Sequence, residues 1–252
     1  MNSSLLELAK LHFNNVQTTF QISLRSLSRW WKDLGLGEQY SSFARDRLVE
    51  SFFWAAAVTS EPQFGRCQEA VTKAIQFIST IDDIYDVYGT VDELELFTNA
   101  ADRWDLKAME QLPEYMKTCF LALYNSINEI GYEILKEEGH NVIPYLRNAE
   151  ELKRGDAPKS ILCYMHEAGV PEEVARDHIM VIFRETWKKL NEYLVECSPL
   201  PPEFINYAMN VGRASYFTYK QGDGFGDPDS EQKKRYMSLF AEPLQVDEAK
   251  GI

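Results

Sequence analysis

The chain has 252 residues, 45% hydrophobic and 13% aromatic, enough apolar material to offset chain entropy by burial and to exclude a disordered chain. Thirty-nine acidic against 26 basic residues leave a net charge of −13, which argues against a nucleic-acid partner or an anionic membrane, since both require a basic face. No apolar run approaches a membrane span; the longest notable one, residues 52–58, is too short.

The first residues, MNSSLLELAKLHF, place Glu7 and Lys10 inside an apolar stretch. They lack the uninterrupted apolar region of a signal peptide and the Arg-rich, acid-poor character of a transit peptide, so no targeting signal is expected in this chain. Beyond them, apolar residues recur at steps of three and four, and few segments alternate as half-buried strands would. Helices are expected over residues 5–33, 40–58, 62–88, 91–103, 113–138, 157–168, 171–194 and 202–219, with a last one after Asp229. Gly89 can close the third of these, and Thr90 with Glu93 forms a T-x-x-E capping box for the fourth. Gly169 closes another, and Pro171 stands at the first turn of its successor. The expected fold class is all-α, one domain over residues 1–252, without internal repeat or linker. Cys67, Cys119, Cys163 and Cys197 form no C-x-x-C pair, and His12, His140, His166 and His178 form no ligand pair at helical spacing. Reduced thiols and ordinary histidines are expected, with neither zinc nor disulfides.

The segment CQEAVTKAIQFISTIDDIYDVYGT carries the strongest chemical signal. Its apolar stripe follows Val71, Ala74, Ile75 and Ile78, and continuing by fours reaches Asp82 and then Asp86. Two carboxylates therefore stand where a buried seam should run, one helical turn apart, with neighbouring side chains. Asp83 is rotated away and would help from behind. Uncompensated burial would cost several kcal/mol per carboxylate, so a cation is expected between them. Magnesium fits, because it takes oxygen ligands and typically uses one or two carboxylates together with substrate phosphates. The bland alternative is a solvated helix end near Gly89. Against it, negative charge at a helix C-terminus is unfavourable by ~0.3–1 kcal/mol, and local violations of that kind tend to be functional. An EF-hand fails, because its third position would be Ile84 and its glycine position Val87.

Upstream, ARDRLVESFFWAAAV offers Arg45, Arg47 and Trp54. A guanidinium can hold a phosphate bidentately and an indole can face a cation. On spacing alone, a surface arginine pair and a core tryptophan is the simpler reading.

Together these segments resemble the catalytic domain of plant class I terpene synthases. The residues that carry the resemblance are RDR at 45–47, Trp54, DDIYD at 82–86, YGTVDELELFTNAADRWD, ELKRGDAPKSILCYM and QGDGFGD, so it covers essentially the whole chain. GHNVIPYLRNA and the Y-x-x-G-D-G pattern at 219–224 look more like monoterpene synthases. The resemblance implies a class I helical bundle, a lyase acting on a prenyl diphosphate such as geranyl diphosphate, and Mg²⁺, or Mn²⁺ in its place. It implies that Asp82 and Asp86 bind metal with Asp83 in support, and that Arg45, and Arg47 with it, neutralise the departing diphosphate. Trp54 would wall an apolar pocket in which the carbocation rearranges; Tyr219 and Asp223 would lie near it. Plastid localisation would follow for a monoterpene synthase, the cytoplasm otherwise.

The sequence departs from the family pattern in two respects. It begins at the junction into the catalytic domain, so Met1 is expected to be internal to a longer parent. The second metal motif, Asn/Asp-Asp-x-x-Ser/Thr-x-x-x-Glu, keeps only its last residue, Glu151; Ile143 and Arg147 stand where the other ligands should be. Several helices are expected to be missing near residues 148–150, leaving the bundle incomplete. Two rival readings follow: a catalytically inactive helical remnant that binds diphosphate weakly or associates with an intact synthase, and a trans-prenyltransferase. The latter requires a second aspartate-rich motif, which does not appear after residue 151.

Overall fold

The computed structural model describes residues 2–143, 160–195, 201–220 and 222–246. Helices account for nearly all of the secondary structure there, and no strand occurs among the described residues. In chain order they are α1 (Ser3–Leu34), α2 (Leu36–Gln39), α3 (Leu48–Val58), a 3₁₀ turn (Pro62–Phe64) leading into α4 (Gly65–Asp83), a π turn (Ile84–Tyr88), α5 (Val91–Arg103), α6 (Leu106–Met109) and α7 (Glu114–Glu138). Then follow α8 (Ser160–Ala168), α9 (Glu172–Val195), α10 (Pro202–Tyr219) and α11 (Ser230–Phe240). The chain divides into two compact units, Met1–Glu150 with Asn210–Ile252, and Glu151–Met209.

The larger unit is built on aromatic contacts. Phe52 of α3 is fully buried and meets Phe20 of α1 edge-on at 5.6 Å and Phe240 of α11 at 5.4 Å. The last turn of α11 is closed from outside: the Gln17 amide donates to the carbonyls of Ser238 (3.3 Å), Leu239 (3.1 Å) and Glu242 (3.2 Å), and Gln21 donates to that of Phe240 (2.9 Å). A helix end leaves such carbonyls without intrahelical partners, and side chains of α1 supply them.

The polarity of α4 reverses expectation. Its buried residues are Gln68, Thr72, Gln76, Phe77, Ser79 and Thr80, whereas Val71 and Ala74 are exposed and Ile75 and Ile78 half-buried. Burial of the polar side is tolerable because its hydroxyls bond to carbonyls of their own helix: Thr72 to Gln68 (2.6 Å), Ser79 to Ile75 (2.9 Å) and Thr80 to Gln76 (2.9 Å). Gln68 donates to the Thr59 carbonyl, and the Ser51 hydroxyl of α3 meets Gln76 at 3.3 Å. The apolar stripe that leads to Asp82 and Asp86 therefore lies on the more open side of the helix.

Residues 40–47, expected as the first turns of a helix, turn and then run into α3, which begins only at Leu48. Tyr40, buried in that turn, donates its hydroxyl to the Tyr115 carbonyl at 2.5 Å. Burial drives the Tyr40 phenol far above its ordinary range; burial, followed by the hydrogen bond to Glu93, pushes Tyr115 up to about 12. Both folded-state values lie above that of the unfolded chain, near 10. Their contribution to stability is thus intact below pH 10 and is lost as pH rises through the folded values. A spectrophotometric titration should show a late-ionising class among the 13 tyrosines that reverts to pH ~10 in guanidinium. Simultaneous ionisation of all of them near pH 10 in the folded protein would contradict this.

In the smaller unit α8 and α9 form a helical hairpin. Gly169 makes the turn in the left-handed region at φ 64°, and Tyr164 stacks on His178 at 3.9 Å.

Candidate active site

Each residue of the RDR segment has a different partner. Arg45 is exposed and pairs with Asp227 at 3.1 Å. Asp46 accepts from the Leu48 amide at 3.0 Å, just ahead of α3. Arg47 grips Asp83 with both terminal nitrogens, Nη1 to Oδ2 at 2.7 Å and Nη2 to Oδ1 at 3.2 Å. Asp83 Oδ2 also accepts from the Arg45 backbone N–H at 3.3 Å. The entry to α3 is thereby tied to the end of α4.

At that end α4 does not simply stop. Residues 84–88 widen into a π turn closed by the Gly89 N–H bonding to the Ile84 carbonyl at 2.7 Å. Single π turns of this kind recur at functional sites. Gly89 was expected to close the helix; its backbone is extended, and glycine is needed for closeness rather than for handedness. A Cβ there would sit 2.7 Å from a Leu94 methyl and 3.1 Å from the Ile84 carbonyl. The next helix opens with the expected Thr90–Glu93 capping box; Thr90 donates its amide to Glu93 at 3.1 Å, which lowers the Glu93 carboxyl below its usual range.

The π turn interrupts the simple four-residue phasing of Asp82 and Asp86. Asp82 is half-buried, and Asp86 is exposed on the turn. No cluster of three His, Cys, Asp or Glu groups arranged for a metal ion occurs among the described residues. Both oxygens of Asp83 are taken by Arg47, which leaves two carboxylates as the donor set. That set fits a magnesium ion that draws its remaining ligands from water and phosphate. Glu151 and Arg147 lie outside the described residues.

The QGDGFGD segment joins the same rim through Arg45 and Asp227. Within it, Asp223 accepts from the amides of Phe225 (3.2 Å) and Gly226 (2.7 Å), so its carboxylate folds the loop. Tyr236 of α11, buried, donates to the Gly224 carbonyl at 2.9 Å. Only glycine fits at 224, since a Cβ would meet the Thr218 carbonyl at 2.3 Å. Trp54 and Tyr219 come together with ring centroids 6.2 Å apart. Partial burial, and after it the Asp223 charge, raise the Tyr219 phenol. Asp46, Asp227 and Tyr236 escaped the sequence reading. Of these only Asp46 left a local signal, as an Asp two residues ahead of an apolar helix start.

Comparison with known proteins gives the family. Residues 32–151 match the model of the terpene synthase family, metal binding domain, and residues 148–189 match that of terpene synthase family 2, C-terminal metal binding. The chain belongs to the terpene synthase family. It is 61% identical to the chloroplastic geraniol synthase of Cinnamomum tenuipile over 339 residues, covering 100% of this chain and 56% of that protein. It is 44% identical to the chloroplastic alpha-thujene synthase of Litsea cubeba, with 97% of this chain and 56% of the relative covered. The chain thus spans about half the length of the curated relatives it matches. Among solved structures, isoprene synthase from grey poplar, in complex with three Mg²⁺ ions and dimethylallyl-S-thiolodiphosphate, superposes with a TM-score of 0.87 at 36% identity. That match covers 98% of this chain and 63% of that one. Limonene synthase with 2-fluorolinalyl diphosphate gives 0.87 at 32% identity, covering 97% and 60%. The helices described above are those of a class I terpene synthase fold.

Proposed function

We propose that the chain binds an allylic prenyl diphosphate, geranyl diphosphate foremost, together with magnesium at the rim formed by Asp82, Asp86 and Arg45. The observation that carries this reading is the convergence of the RDR, DDIYD and QGDGFGD segments through the Asp83–Arg47, Asp83–Arg45 and Arg45–Asp227 contacts. Bound magnesium would neutralise charge on the departing diphosphate. Arg45, exposed, would exchange Asp227 for diphosphate oxygens and add to that stabilisation. Trp54 and Tyr219 would offer π-faces to the C10 cation left behind. Either proton loss gives a monoterpene or water capture gives an alcohol.

The opposing metal ligands are reduced to Glu151, so turnover is proposed to be low. Support comes from the matched span of 339 residues in the geraniol synthase against 252 here, and from a unit boundary at Glu150 where the two family matches also meet. We propose on that basis that helices are missing near residues 148–150. Plastid residence is proposed from the chloroplastic relatives. The test is incubation with geranyl diphosphate and Mg²⁺ or Mn²⁺, reading extracts and headspace by mass spectrometry beside an intact relative. Product formation at least ~10–100-fold below the relative's is expected, as for loss of groups that support a metal. Equal turnover would sink the reduced-activity reading, and absence of Mg²⁺-dependent diphosphate binding would sink the whole proposal.

A second reading, a remnant that associates with another synthase chain, draws on exposed apolar residues. Val71 is 37% exposed, and α9 exposes Met180, Val181, Ile182 and Phe183 in succession. A monomer in sedimentation, with and without an intact relative, would remove it.

A further inference from the structure

We infer that the two arginines of the RDR segment divide their labour: Arg47 with Asp83 is a strut that positions the rim, and Arg45 alone faces the anion. For its consequence in metal binding this rests on the function proposed above; the strut itself does not.

Three observations carry it. The Arg47–Asp83 pair is bidentate and largely buried, with side-chain exposures of 11% and 15%. Bidentate geometry uses the planar fork of the guanidinium fully and fixes the two groups relative to each other. The remaining nitrogen of Arg47, Nε, is buried without a hydrogen-bond partner. Both terminal nitrogens of that guanidinium are engaged with Asp83, and turning it outward toward a ligand would strand Asp83. On the other side of the pair, both Asp83 oxygens are engaged, and Oδ2 holds the Arg45 amide as well. With three donors already on its two oxygens, that carboxylate has little capacity left for a metal. Arg45 differs in every respect: its side chain is 60% exposed, and its partner Asp227 is 84% exposed. Exposed pairs of that kind exchange partners at little cost.

Asp83 thus joins two segments that sequence separates by 36 residues. Through its bond to the Arg45 amide, it sets where the Arg45 side chain departs, next to the π turn that bears Asp86.

The inference is tested with the full chain in four variants: Arg47→Met, Asp83→Leu, the double Arg47→Met/Asp83→Leu, and the exchanged pair Arg47→Asp/Asp83→Arg. Melting temperature and hydrogen exchange of the Arg45 amide report the strut. Calorimetric binding of Mn²⁺ with inorganic pyrophosphate reports the site, with Asp82→Asn as the comparison. Each single variant should melt lower than the parent and release the Arg45 amide. The double should melt higher than the sum of the single losses requires, because neither charge is left buried alone. Additive losses would overturn the strut. The exchanged pair should restore melting and keep Mn²⁺–pyrophosphate affinity within about threefold of the parent, while Asp82→Asn loses at least ~10-fold. If the exchanged pair does not fold, the apolar double takes its place, since it too lacks an oxygen ligand at 83. Loss of affinity equal to that of Asp82→Asn in a folded variant would make Asp83 a ligand and overturn the inference. If the parent binds no Mn²⁺–pyrophosphate, the proposed function fails, while the melting cycle still decides the strut.

Discussion

Phe52→Ala is expected to lower the unfolding free energy by about 3–5 kcal/mol, the range for a large buried aromatic cut to a methyl group. Phe52 is completely buried, and its ring is in contact with Phe20 and Phe240, which also meet each other at 6.0 Å. Such ring pairs contribute about 0.5–1.5 kcal/mol each beyond area burial, so the truncation removes two of them and leaves a cavity between α1, α3 and α11. Close packing on all sides limits collapse, which places the cost toward the upper end. Urea unfolding measures it: the midpoint should fall with little change in slope. Leu5→Ala, at a position 63% exposed, should stay within about 0.5 kcal/mol and serves as the reference. A Phe52→Ala loss as small as that of Leu5→Ala would mean that the three rings do not form one core.

The second large effect separates binding from stability. Asp86→Asn should weaken Mn²⁺–pyrophosphate binding by ~10–100-fold, at least what loss of a group supporting a metal typically costs. The same variant should not melt lower than the parent. Asp86 is exposed at the end of the helical run through residues 65–88, where a negative charge opposes the helix dipole by ~0.3–1 kcal/mol. Neutralising it removes that opposition. Lost affinity with unchanged or higher melting identifies a residue retained for function. Lost affinity accompanied by a large drop in melting would instead make Asp86 structural. Calorimetry and a thermal melt on one preparation decide between these outcomes.

Much of the helical layout was legible. Residues 91–103 and 202–219 match their expected bounds, and Asp229 caps α11 by accepting from the Gln232 amide at 2.7 Å. Local chemistry fixes such boundaries: a capping box, a proline at the first turn, an Asp before the helix. The start of α3 was not legible from periodicity. Residues 40–47 carry apolar spacing compatible with a helix, yet Arg47 and Arg45 are held in a turn-out by Asp83, a partner 36 and 38 residues away. The wrong face of α4 was taken as its seam for a related reason. Hydroxyl bonds back to the same helix let Thr72 and Thr80 go inside, and bonds to the Thr59 carbonyl and to Ser51 do so for Gln68 and Gln76, where hydropathy alone would place Val71 and Ala74. In the site, residue types announced the aspartates and arginines, but not their pairing. Asp83 and Arg47 were read as support for metal and anion, and they are occupied with each other. Tyr236 and Asp227 gave no local sign, because their roles depend on the folded Gly222–Asp227 loop.

The clasp between α1 and α11 has a consequence for the order of folding. Gln17 and Gln21 reach carbonyls 219 to 225 residues later, and Asn14 exchanges two 2.8 Å hydrogen bonds with Leu244, 230 residues on. Ribosomes deliver residues at roughly 5–20 per second, so the partners of α1 emerge tens of seconds or less after it. Until then the Phe20 and Phe52 rings lack Phe240, and the amides of Gln17 and Gln21 face water. Until α11 and Leu244 have been made, the seam along α1 therefore stays open.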